Sequence, residues 1–111
     1  MSNSATLLAT YEAISELSAQ MLDAARHADW ARLTLLEKDC RWLIEHLRTA
    51  ESPAAGDVSF RERKLQIIRK VLAEDAEIRD LVEPWMAELE ALIGSGERAR
   101  KLRLVYGARR R

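Results

Sequence analysis

Helix breakers are confined to a few places in this chain, and that confinement decides its fold class. Proline occurs only at positions 53 and 84, and glycine only at 56, 94, 96 and 107. A β-rich chain needs glycine and proline at closely spaced turns, and none are spaced that way here. The long intervals are rich in Ala, Leu, Glu and Arg, which are strong helix formers. An all-α fold follows. At 111 residues, 48% apolar and 32% charged, the chain has material for one core and a solvated surface.

Leu7, Tyr11, Ile14, Leu17, Met21 and Ala25 step by three and four, which predicts a first helix from Ser4 to His27. His27-Ala28-Asp29-Trp30 reads as a tight break, with Asp29 capping a second helix that runs to Ala50. Leu33, Leu36, Cys40, Leu43 and Leu47 form a heptad seam along it, and so short a connection makes the two helices antiparallel neighbours. The stretch from Glu51 to Val58, with Ser52, Pro53 and Gly56, is a loop. Ser59-Phe60-Arg61-Glu62 has the form of a capping box. Leu65, Ile68, Leu72, Ala76, Val82, Met86, Leu89 and Ile93 then predict one helix from Ser59 to Ile93, about 50 Å long at ~1.5 Å per residue.

Asp75 offers a cap for a new helix and Pro84 removes an amide donor, so a kink is expected near Asp80. Gly94-Ser95-Gly96 ends the long helix, and a short fourth one spans Glu97 to Tyr106 before Gly107. The predicted architecture is an antiparallel three-helix bundle over residues 1–94 with a long third helix. A hinged segment over residues 95–111 then carries the short C-terminal fourth helix and a basic tail.

Little in the chain suggests catalysis. His27 and His46 are far apart, no Glu-x-x-His pair occurs, and Cys40 sits on the apolar seam as a small hydrophobe, so no metal or cofactor is expected. The glycines follow helices rather than a strand, which excludes a phosphate loop. All-helical chorismate mutases aim basic side chains inward from a long first helix, whereas the first helix here carries only Arg26, at its end. The opening residues lack a basic n-region and no apolar run approaches the ~18 residues of a membrane span. With a single cysteine, these features point to the cytoplasm.

Charge is distributed unevenly although the formal net is zero. From Glu97 to Arg111 seven bases (Arg98, Arg100, Lys101, Arg103, Arg109, Arg110, Arg111) face Glu97 alone, a net of +6. From Glu74 to Leu92 seven acids (Glu74, Asp75, Glu77, Asp80, Glu83, Glu88, Glu90) face Arg79 alone, a net of −6. The basic end invites a nucleic-acid partner, but the rest of the chain nets −6 and would be repelled, so direct nucleic-acid binding is not expected.

Binding features remain. The third helix outruns the first two, so its distal stripe of Ile78, Val82, Trp85, Met86 and Leu89 is expected to lack a partner and to form an interaction site. The alternative is that this stripe is simply core. Leu102, Val105 and Tyr106 give the fourth helix a small apolar face that must dock somewhere, and its charge suits the acidic distal half of the third helix. A detachable, salt-sensitive cover follows from that match.

The three-helix antiparallel core, Ala28-Asp29-Trp30 at the first break, Leu89 with Leu92-Ile93-Gly94 at the end of the long helix, and Leu102 to Tyr106-Gly107 together resemble the FliT-type flagellar export chaperones. The resemblance spans nearly the whole chain; Pro84 departs from it. It implies a non-enzymatic cytoplasmic chaperone of flagellar type III export, whose client is the C-terminal segment of the filament cap protein. It further implies contacts with the export ATPase and export gate, and in some bacteria with the flagellar master transcription activator. Ile68, Leu72, Val82 and Leu89 match its apolar long-helix positions, Trp30 its structural aromatic, and Tyr106 its tyrosine implicated in export-gate contact. The last helix becomes a regulatory cover. A purely structural or homodimerising helical module is the alternative.

Overall fold

The computed structural model describes residues 3–50, 56–93 and 104. It contains α1 (Asn3–Arg26), α2 (Trp30–Ala50) and α3 (Val58–Ile93), with no strand among the described residues. The predicted hinge at Gly94-Ser95-Gly96 and the fourth helix, Glu97 to Tyr106, lie outside the described residues, Leu104 excepted.

The α1–α2 turn closes as the sequence predicts, with one addition. Ala28 takes a left-handed conformation (φ 55°), its amide donates to Ala25 O (3.1 Å), and the Asp29 amide donates to Ala24 O (2.8 Å). This is a Schellman C-cap in which alanine stands where glycine is favoured. Asp29 then caps α2, accepting from the Arg32 amide at its Oδ1 (3.2 Å). The left-handed region costs an L-residue ~1–2 kcal/mol, partly offset by the greater unfolded-state entropy of glycine. Ala28→Gly is therefore expected to stabilise the fold by about 0.5–1 kcal/mol, read as a higher midpoint in thermal melts followed by circular dichroism.

The predicted capping box is corrected. Helix α3 begins one residue earlier, at Val58, and its cap moves two residues back, to Asp57: Asp57 Oδ1 accepts from the Phe60 amide (2.9 Å) and Asp57 O from the Arg61 amide (3.0 Å). Gly56 turns the chain into this cap with φ 83°, and a Cβ there would lie 2.2 Å from the Phe60 ring. Seating Phe60 against Gly56 and edge-on to Tyr11 (6.3 Å, 70°) fixes the earlier start. Downstream, α3 is unbroken at Asp75 and Pro84. Asp80 and Pro84 both retain access to solvent, so water can serve the carbonyl that loses its donor.

Helix α1 is the central element: α2 and α3 both pack along it and barely touch each other. Glu12 faces Arg63 and Arg26 faces Glu77, so α1 and α3 run in the same direction. Ile14 lies near Leu47 and Met21 near Cys40, so α2 runs the opposite way. Small buried side chains on α1 (Ser18, Ala24 and Ala25) let its neighbours approach closely. Leu33, Cys40 and Leu47 from α2 and Ile67, Ile78 and Val82 from α3 complete the core, each large aliphatic contributing ~1.5–3 kcal/mol by burial.

Ion pairs fix the register of α1 on α3. Arg63 donates to both carboxylate oxygens of Glu12 (2.7 and 2.9 Å), Arg26 donates to Glu77 (2.7 Å), and Lys70 donates to Ser15 O (3.2 Å). The hydrogen bond from Arg63 holds the Glu12 carboxyl below its ordinary range. A lowered native value means that this contribution is fully present above the ordinary glutamate pKa and fades as pH falls through the native value. Glu12→Gln is expected to remove that part of the acid-side loss of stability, measurable by denaturant titration at pH 7 and pH 3.

Candidate functional site

Because α2 and α3 splay apart on α1, a groove opens between them with α1 as its floor. One cavity of about 510 Å³ is lined by Tyr11 and Ile14 below, Ile44, Leu47 and Arg48 on the α2 side, and Lys64, Ile67, Ile68, Val71 and Leu72 on the α3 side. A second, of about 430 Å³, continues over Ser18 and Met21 between Glu37, Cys40 and Ile44 on one wall and Val71, Leu72, Asp75, Ile78 and Arg79 on the other. Ile44, Val71 and Leu72 border both, so the two form one trough. Along α3 it runs from Lys64 to Arg79, about 22 Å at ~1.5 Å per residue, or four turns of a docked helix.

Two overlapping apolar stripes on α3 produce this trough. Phe60, Ile67, Ile78 and Val82 are buried in the core, whereas Ile68 is half-buried and Leu72 is 62% exposed on the groove rim. On α2 the seam residues Cys40 and Leu47 are buried, and Ile44 beside them turns half-buried into the trough. Cys40 is small for a seam position, which leaves room above Met21.

The trough is apolar in its middle and charged towards its ends. Lys64 Nζ stands 5.5 Å over the Tyr11 ring. Arg48 lies on the facing wall, 3.7 Å from Glu45. At the other end Glu37 is 3% exposed, with Arg41 Nη2 3.8 Å from its carboxylate, and Asp75 pairs with Arg79 at 3.6 Å. Glu37 stands four residues after Leu33 and three before Cys40, on the buried side of α2, but as a glutamate it reads as solvent-facing by residue type.

The distal stripe does not have the exposure expected of it. Ile78 and Val82 are each 1% exposed and Met86 7%, all within the same core cluster as Leu22, Ala25 and Leu33. Trp85 is half-buried and stacks on Trp30 (4.7 Å, 27°), and Leu89 is half-buried. Helix lengths alone suggested that α1 and α2 end too soon, but the α1–α2 turn carries Trp30 far enough to reach Trp85. Leu102, Val105 and Tyr106 lie outside the described residues. The structure thus brings Ile68 and Leu72 together with Tyr11, Ile14, Ile44, Leu47 and Val71, which the sequence did not single out as binding residues.

A separate apolar face lies on the outside of α2, where Leu35 is exposed and Trp42, also exposed, stacks on His46 (5.5 Å, 8°). Among the described residues no cluster of His, Cys, Asp or Glu is placed to hold a metal ion, and no helix is long and apolar enough to cross a membrane.

The family model described as flagellar protein FliT matches residues 8–108. The chain is 27% identical over 107 residues to the flagellar protein FliT of Photorhabdus laumondii, covering 96% of this chain and 86% of that one. To its counterpart in Citrobacter koseri it is 30% identical over 108 residues, covering 96% and 88%. To that of Serratia proteamaculans it is 28% identical over 101 residues, covering 91% and 83%. No solved structure matches.

Proposed function

We propose, from the premise that this chain belongs to the FliT family of flagellar proteins, that it is a flagellar type III export chaperone working in the cytosol. Its client is the C-terminal segment of the filament cap protein, held in the trough as an amphipathic helix until the export apparatus receives it. Helix-in-groove recognition needs an apolar channel several turns long with reachable side chains on its rim. The trough between α2 and α3, with Leu72 exposed beside it, is the observation that carries this reading. The mechanism is masking: burying the client's assembly surface requires no bond to be made or broken, and no catalytic role is assigned.

Ile68 and Leu72 meet the client first, with Trp85 and Leu89 available at the far end. Ile78 backs the trough wall from within the core, while Val82 and Met86 lie beneath and would meet a client directly only if the core opened. The proposal extends to an antiparallel three-helix bundle whose fourth helix, through Leu102, Val105 and Tyr106, covers the distal end of the client site, on the side of Trp85 and Leu89, and contacts the export gate. The export ATPase and the master transcription activator are further proposed partners.

Titrating the full chain against the C-terminal segment of a filament cap protein tests the reading. Saturable one-to-one binding by isothermal titration calorimetry is expected, and no heat at tens of micromolar (~5–7 kcal/mol of affinity at most) overturns it. The exposed Leu35–Trp42 face favours a second reading, a self-associating structural module. Sedimentation velocity at several concentrations decides it, since a dimer abolished by Trp42→Ala would assign that face to a second copy.

A further inference from the structure

We propose that the half of the trough flanked by Arg48 and Lys64 is a subsite for an acidic amphipathic helix, and that charge keeps the chain's own basic C-terminal segment out of it. The inference rests on the groove reading above and gives its occupant a chemistry. This half, of about 510 Å³, has two charged groups in its lining, Arg48 and Lys64, and among the described residues no aspartate or glutamate. Lys64 is held at the floor by the Tyr11 ring, while Arg48, 3.7 Å from the exposed Glu45, stays solvated enough to turn towards a ligand. The other half carries Glu37 and Asp75 along with Arg79.

The asymmetry is continuous with α3 itself. Residues 58–73 hold five bases (Arg61, Arg63, Lys64, Arg69, Lys70) against Glu62, a net of +4, and residues 74–92 net −6. An occupant with apolar residues at i, i+3, i+4 and i+7 fits between Leu47 and Leu72, and acids on its flanks meet Arg48 and Lys64. The negative end of its helix dipole prefers the same end of the trough. The docked helix therefore runs parallel to α2 and antiparallel to α3. The chain's own segment from Glu97 to Arg111, net +6, would bring like charge to Arg48 and Lys64, whereas residues 74–92 carry the opposite sign.

Two synthetic helical peptides with identical apolar positions, one flanked by Glu and one by Lys, test this on the full chain by fluorescence anisotropy at low salt. The Glu peptide is expected to bind about fivefold tighter or more. That preference should shrink in ~0.5 M salt and invert in the Arg48→Glu, Lys64→Glu double variant. Circular dichroism reports whether the double variant folds; should it not, Lys64→Gln alone must still reduce the preference. Equal affinities, or a preference that survives the reversal, overturn the inference. If the two affinities are equal and Leu72→Asn abolishes both, the groove reading stands and charge selection falls. If neither peptide binds, the inference fails, and the cap-segment titration judges the groove on its own.

Discussion

Ile78→Ala is expected to lower the melting temperature by roughly 8–20 °C, with or without a partner present. Ile78 is 1% exposed and belongs to the core cluster that joins α1, α2 and α3. Removing a buried isoleucine side chain costs ~2–5 kcal/mol, because the cavity left behind closes only in part. For a domain of this size each kcal/mol moves the midpoint by about 4 °C. Against a total stability of ~5–15 kcal/mol the loss is large but leaves a folded protein to measure. Leu92→Ala is the matched control: Leu92 is 82% exposed, and truncation there should stay within about 0.5 kcal/mol. A melting temperature unchanged in Ile78→Ala, together with failure to bind the client, would return the distal stripe to the surface and make it the client site after all.

Periodicity made the helices legible, and it also set the limit of what could be read. The seam of Leu33, Cys40 and Leu47 is buried at the centre of α2, with Leu36 and Leu43 half-buried beside it, as heptad spacing requires. Spacing states that a face is apolar; it does not state which neighbour covers it. On α3 the stripe containing Ile78 and Val82 and the stripe containing Ile68 and Leu72 have the same period, yet the first is almost wholly buried, with Ile78 only backing the trough wall, and the second stands on the trough's rim. What separates them is the register of α3 on α1. That register is set by Glu12 with Arg63, by Arg26 with Glu77 and by Trp30 with Trp85, pairs 51 or more residues apart in the chain. The cap of α3 was misplaced for a local reason. Asp57 and Ser59 are both good N-caps, and the choice fell to the seat of Phe60 on Gly56, which is a tertiary contact. Glu37 was missed because its charge argues for exposure, although its spacing from Leu33 and Cys40 places it on the buried face.

Leu72→Asp, by contrast, is expected to leave the fold intact and weaken binding of the cap-protein segment about thirtyfold or more. Leu72 is 62% exposed in the free protein, so a carboxylate there keeps its water and costs little stability. In the complex the same position lies under the client's apolar face. Burying the leucine side chain there is worth ~1.5–3 kcal/mol, and desolvating the new charge adds to the penalty, so ~2–3 kcal/mol is a conservative sum. By RT ln Kd that is about 30–150-fold. Circular dichroism should give a melting temperature within a few degrees of the parent chain, while calorimetry reports the weaker affinity. Leu35→Asp places the same charge on the outer face of α2, at a side chain just as exposed, and should leave client affinity alone. The pair separates two surfaces that look alike by hydrophobicity. Should Leu35→Asp abolish binding and Leu72→Asp spare it, the client lies along Leu35 and Trp42, and the trough between α2 and α3 serves another occupant.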